Sequence, residues 1–123
     1  MIRIGIDAMG GDFAPNNVIL GAIEAYSYIS ADTKIFLIGD EKKITEVCQH
    51  YGIDSGNFVI VHAPETIEMG EHPIRAFLKK KQSSLVVGFN LLAEGKIDVL
   101  VSAGTTGAML AGSVQVLNNI PGI

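Results

Sequence analysis

The sequence predicts an α/β fold of three layers, helices packed on both faces of a mostly parallel sheet. Three observations lead there. Short apolar runs alternate with stretches of helical period in the order βαβαβααβα. The apolar runs are continuous, as expected of strands buried on both faces. Each change from one type to the other falls at a glycine, proline, aspartate or serine with turn or capping chemistry.

The first strand is residues 2–7, ending in Asp7. A turn-rich loop, residues 8–15, leads to a helix that starts near Pro15, since proline suits a first helical turn. Val18, Ile19, Ala22, Ile23, Tyr26 and Ile29 make its apolar face. Lys34–Gly39 is the second strand. Asp40 caps a helix over 41–51, which Gly52 stops. Asn57–His62 is the third strand, and 63–72 has no period and is a loop. A short helix runs from Pro73 to about Lys80. Ser83 or Ser84 caps the next, through Glu94, with Gly95 ending it. Asp98–Ser102 is the fourth strand, and after a tight turn the last helix spans about Gly107 to Asn118.

Composition bounds the rest. The 123 residues suit one ordinary domain, with 48% hydrophobic and 18% charged residues, below the usual charged share of about 25%. Mean hydropathy is +0.36. No charged residue occurs from Val99 to Ile123, yet Ser102, Thr105, Thr106, Gln115, Asn118 and Asn119 make that stretch a poor membrane span. So long an uncharged end reads as a buried segment, in a chain with little interior to bury it. The expectation is a portion of something larger. Nine Lys and Arg against 13 Asp and Glu give a net charge of −4, without the basic stripe of a nucleic-acid binder. Basic residues gather only at Arg75, Lys79, Lys80 and Lys81. These are suited either to an anionic ligand or acidic partner, or to a solvated face. Cys48 is the only cysteine and reads as a small buried hydrophobe. No signal peptide opens the chain, so the cytoplasm is the default. No spacing of Cys, His or carboxylates reads as a metal site.

Two loops leave strands on the carboxyl edge of the sheet, where α/β proteins bind ligands. They are Met9-Gly10-Gly11-Asp12 and Ser102-Ala103-Gly104-Thr105-Thr106-Gly107. Glycine lets backbone N–H groups approach an anion, and each loop opens a helix with positive polarity. Ser102, Thr105 and Thr106 add hydroxyls, so a phosphate suits the second turn. Either loop alone reads as well as a plain strand-to-helix turn; two on one edge favour the ligand. Asp7 and Asp12 are candidate bases or orienting groups, and Asp12 serves equally as a helix cap. Neither G-x-G-x-x-G nor G-x-x-x-x-G-K-[ST] occurs, which removes support for a dinucleotide-dependent dehydrogenase or a nucleoside triphosphatase.

Taken together, these segments resemble a known family. Asp7-Ala-Met-Gly-Gly-Asp-Phe-Ala-Pro15 and Ser102-Ala-Gly-Thr-Thr-Gly-Ala-Met-Leu110 are similar to two signatures of the bacterial phosphate acyltransferases of phospholipid synthesis, the PlsX family. Glu68-Met-Gly-Glu-His-Pro-Ile-Arg75 and Lys79-Lys-Lys-Gln-Ser-Ser-Leu85 resemble its middle basic segment. The resemblance implies a fold like that of phosphotransacetylases and isocitrate-dehydrogenase-type enzymes. It implies transfer of a fatty acyl group from acyl carrier protein to inorganic phosphate, giving acyl phosphate, with no cofactor. It also implies a cytoplasmic homodimer able to associate peripherally with the membrane. On that reading Gly10, Gly11, Ser102, Gly104, Thr106, Gly107 and Arg75 bind phosphate or substrate. Asp12 and Thr105 are the catalytic candidates, and Lys79, Lys80 and Lys81 contact the carrier protein. Thr105 departs from the family's asparagine, exchanging an amide donor for a shorter hydroxyl, and Gln82 replaces an acidic residue. Family members are more than twice this long, so the chain resembles an N-terminal fragment, itself inactive. Two alternatives stay open: a phosphotransacetylase-like enzyme using acyl-CoA, and a non-catalytic phosphate-binding or interaction domain.

Overall fold

A computed structural model describes residues 1–68 and 70–117. The elements are β1 (Ile2–Asp7), α1 (Asn16–Tyr26), β2 (Thr33–Gly39), α2 (Glu41–His50), β3 (Val59–His62), α3 (Pro73–Lys79), α4 (Ser84–Ala93), β4 (Val99–Val101) and α5 (Thr106–Gly112). A single 3₁₀ turn, Ser55–Asn57, precedes β3, and a π-helical stretch, Ser113–Leu117, continues α5. The element order is the expected one. The end of the last predicted helix, at Asn118, lies outside the described residues.

Local chemistry accounts for most boundaries. Asp40 caps α2, its side chain accepting from Lys43 N, and Gly52 follows with φ +68°, a conformation that favours glycine. Ser83, fully buried, caps α4 by accepting from Val86 N. Pro15 stands one place earlier than expected, at the N-cap of α1 rather than inside it. Ile29 lies beyond the end of α1 but still packs on the same core. The fourth strand is shorter than the sequence indicates, three residues instead of 98–102, because pairing with β1 extends only from Ile4–Val99 to Ile6–Val101.

The four strands are all parallel, in the order β3-β2-β1-β4. After β1 the chain moves outward in one direction through β2 and β3, then returns across the sheet to place β4 on the other side of β1. Right-handed crossovers put helices from the two directions on opposite faces. On one face Ile35 and Leu37 pack with Ile19 and Ala22 of α1 and Ile44 and Cys48 of α2. On the other Ile38 meets Ile97 and the α4 residues Val87, Leu91 and Leu92. A third cluster, Phe77, Leu85, Val86, Phe89 and Ala108, locks α3 and α5 against α4. The arrangement is the three-layer α/β fold. Burial pushes the Cys48 thiol pKa up, in keeping with a packing role.

The uncharged final stretch is not wholly buried. Val99, Val101, Leu110 and Val114 are 45%, 49%, 66% and 46% exposed. Val99 and Val101 pair with Ile4 and Ile6 on the face that α1 and α2 cover elsewhere. No helix among the described residues is long and apolar enough to cross a membrane.

The amino edge of the β1–β4 pair is closed by an ion pair. Arg3 Nη2 lies 3.0 Å from Asp98 Oδ1, and Arg3 N and Nε donate to Oδ2 at 2.8 and 3.2 Å. These hydrogen bonds, side chain first, hold the Asp98 carboxyl below its ordinary value of 3.8. A carboxyl whose pKa is lowered by folding adds stability that is present above the unfolded value and lost as pH falls through the folded one. We therefore expect Asp98→Asn to flatten the acid limb of a melting-temperature profile below about pH 4, with little change in slope near neutrality. An unaltered acid limb would exclude this role.

Candidate functional site

Both glycine loops leave β1 and β4, the two strands between which the order of the sheet reverses. Ligands of open α/β sheets bind at such a switch point, outside the carboxyl ends of the strands. Strand order is thus what turns two separate loops into one site.

The loops touch through their glycines. A Cβ on Gly10 would lie 2.6 Å from Asp7 Oδ2, 2.9 Å from Ser102 Oγ and 3.0 Å from Gly104 N. A Cβ on Gly104 would meet Ser102 Oγ at 3.1 Å and the Gly10 Cα at 3.5 Å. Gly11 has φ +108°, and its Cβ position is 3.3 Å from Ala103 O. Gly107 instead makes room for Pro73 of α3, 2.6 Å from where its Cβ would stand. These residues therefore seat one loop on the other and α5 on α3.

Behind the junction lies a buried polar network. Asp7, 3% exposed, accepts from Ser84 Oγ at 2.5 Å and Ser102 Oγ at 2.8 Å, and from Met9 N at 3.1 Å. Ser102 Oγ in turn accepts from Gly104 N at 3.0 Å. The Ser102 proton and the Gly104 N–H are thereby committed inside the protein. The crevice here, lined in part by Asp7, Gly10, Thr66, Ser84 and Thr105, holds only about 10 Å³, room for about one water.

The outward side differs. Gly10, Gly11, Asp12, Phe13, Asn17 and Ala103 line an open groove of about 220 Å³. Thr105 sits at the N-cap of α5 with extended backbone (φ −65°, ψ 128°), and its hydroxyl makes no cap hydrogen bond. The first N–H groups of a helix have no partner within it, and those of α5 receive no side-chain cap. The cap of α1, Pro15, also provides none, so Asp12 does not cap that helix. By contrast α2, α3 and α4 are each capped by a side chain. Among the described residues, the two α-helices that begin without one are the two that follow the glycine loops.

The basic residues lie on and just after α3, whose first residue, Pro73, abuts Gly107. Arg75 and Lys79 are exposed on α3, around a separate depression shared with Glu71, His72 and Lys80. Lys80 is engaged, its Nζ 2.7 Å from Glu71 Oε2 and 2.8 Å from Thr66 O. That bond from Lys80 is the main cause holding the Glu71 carboxyl below its ordinary range. Lys81 is exposed. Asp12 and Thr106 are exposed, while Thr105 is half-buried. Another groove, about 440 Å³ between α1 and α2, is lined by Lys43, Glu46, His50 and Tyr51, all exposed. It touches neither glycine loop. Ser84 is the functional candidate that sequence reasoning missed. In sequence it is one of two adjacent possible caps, and only its spatial approach to Asp7 distinguishes it.

A family model described as Fatty acid synthesis protein matches residues 2–123. The chain belongs to that family. Members similar to it include the phosphate acyltransferase of Desulforamulus reducens, 46% identical over 124 residues, covering 100% of this chain and 36% of the relative. The phosphate acyltransferase of Exiguobacterium is 44% identical over 123 residues, with 99% and 36% covered. That of Clostridioides difficile is 41% identical over 122 residues, with 99% and 35% covered. The chain thus spans about a third of the length of these relatives. Among solved structures it is similar to the EutD phosphotransacetylase of Staphylococcus aureus, with a TM-score of 0.65, 22% identity, and coverage of 99% of this chain and 39% of that one. At that identity the likeness bears on the fold, which is shared.

Proposed function

We propose that this member of the phosphate acyltransferase family forms the phosphate-binding part of an enzyme that transfers a fatty acyl group from acyl carrier protein to inorganic phosphate. The observation that carries this reading is the junction of the two glycine loops at the switch point, followed by a helix that begins without a side-chain cap. Such an end presents N–H groups and partial positive charge to an anion.

In the reaction a phosphate oxygen attacks the thioester carbonyl, the C–O bond forms, the C–S bond breaks, and the carrier leaves as its thiol after taking up a proton. Phosphate is itself a competent nucleophile, so no covalent enzyme intermediate is required. What the protein must do is hold the anion, orient it and stabilise the developing oxyanion. In this reading the α5 end and the Thr105 hydroxyl, which makes no cap hydrogen bond, serve the first task. Ser102 and Gly104 work one layer behind, since their polar hydrogens already have partners. Arg75, Lys79 and Lys81, exposed on and just after α3, suit an acidic carrier protein through charge complementarity. The remaining length found in relatives supplies the rest of the site in this reading.

The test is direct. The native-length protein, given acyl carrier protein loaded with a fatty acid, should release free carrier thiol only when inorganic phosphate is added, and should form acyl phosphate in equal amount. Thiol release that ignores phosphate, or that occurs with acyl-CoA but not with the carrier, overturns the reading.

A further inference from the structure

We infer that Asp7 is a positioning residue that sets the polarity of the Ser102–Gly107 turn through a two-step hydrogen-bond relay. This deepens the proposal above and rests on it for its link to phosphate. Both oxygens of Asp7 accept hydrogen bonds here, whereas a serine hydroxyl has one proton to give. With Asp7 Oδ2 taking that proton at 2.8 Å, the lone pairs of Ser102 Oγ are left to receive the Gly104 N–H at 3.0 Å. The peptide between Ala103 and Gly104 is thereby turned with its N–H inward, and its carbonyl oxygen lies beside Gly11. Ser84, 77 residues away in sequence, and Met9 N hold the other carboxylate oxygen, so Asp7 has no freedom to swing aside.

Asparagine at position 7 keeps the shape and reverses one hydrogen bond. Whichever way its amide turns, an N–H group faces either the Ser102 hydroxyl or the Met9 N–H and Ser84 pair. The relay is then broken or strained while the packing volume is unchanged.

The experiment compares Asp7→Asn, Ser102→Ala and the double variant in the native-length protein, with two readouts. One is the hydrogen exchange of the Gly104 amide. The other is the pair of KM values, for inorganic phosphate and for the acyl donor. Both single variants should speed Gly104 exchange and raise the phosphate KM about 10-fold, the scale of one lost hydrogen bond. The KM for the acyl donor should stay within about twofold, and the double variant should add nothing, as for groups acting as one unit. Unchanged Gly104 exchange in the single variants overturns the inference. So does a multiplicative rise in the double variant, or an equal rise in both KM values with a fall in melting temperature. If Asp7→Asn does not fold, Ser84→Ala, which keeps Ser102 and removes one of the bonds that hold Asp7, decides the matter: Gly104 exchange as slow as in wild type then overturns the inference. Faster exchange in variants of a protein whose wild type shows no phosphate-dependent turnover supports the relay and refutes the phosphate reading, so the two fail separately.

Discussion

Gly10→Val should reduce the proposed phosphate-dependent turnover by about 100-fold or more, on the scale that misplacement of a catalytic constellation commonly produces. The first side-chain carbon alone would sit 2.6 Å from Asp7 Oδ2 and 3.0 Å from Gly104 N. Neither neighbour can yield cheaply. Asp7 is held by Ser84, Ser102 and Met9, and Gly104 N is backbone, already bonded to Ser102. The two further methyl groups of valine leave separation of the loops as the only relief, and separation removes the shared site. Gly10→Ala, with the same first carbon and no branching, should fall between wild type and valine. Steady-state kinetics at varied phosphate, together with a circular dichroism spectrum to confirm folding, checks this. Activity within about threefold of wild type would show that the contact between the loops is dispensable.

The largest effect on stability is expected at Phe89. Its ring is 2% exposed and meets Phe77 edge-to-face with centroids 5.9 Å apart. Leu85, Val86 and Ala108 complete the cluster, and Gly112 of α5 leaves no space for a side chain against Phe77, 2.7 Å from its Cβ position. Phe89 is therefore where α3, α4 and α5 are joined. Phe89→Ala removes the ring from a place too confined to collapse, which destabilises by about 3–5 kcal/mol. Against a total stability of about 5–15 kcal/mol, that is a large share. Urea unfolding of the native-length protein should show the midpoint falling with an unchanged slope. A midpoint within experimental error of wild type would mean that α5 is held by other contacts.

The series of elements was legible in the sequence because each boundary carries its own local chemistry. Asp40 and Ser83 cap helices, and Gly52 and Gly95 adopt positive φ at helix ends. The layers followed from continuous apolar strands. Strand order did not, since a parallel pair is joined by a crossover and its residues carry no sign of which strand lies alongside. That order is what makes the candidate site: only the placement of β4 beside β1 brings Ser102 to Asp7, 95 residues apart. The glycine loops were found for their lack of side chains, but the sequence could not show what fills the space. At Gly10 and Gly104 it is the opposite loop. Ser102, read as a donor to phosphate, has its proton on Asp7, because a hydroxyl beside a buried carboxylate gives its hydrogen there first. The basic cluster was visible as composition, and its place around a depression with Glu71 and His72 required the path of the chain from β3 to α3.

The adjacency of β1 and β4 also governs the order in which this protein can be completed. The β1–β2–β3 part of the sheet, with α1 and α2, is closed by residue 62 and contains one of the two glycine loops. The second loop exists only after β4 has been added. Contacts so distant in sequence carry the largest loop-closure entropy and are characteristic of slow steps in folding. No contiguous piece shorter than about Asp7 to Gly107 contains both glycine loops with the Asp7–Ser102 bond that joins them. On a growing chain, β1 waits for its second neighbour until almost all of this sequence has been made.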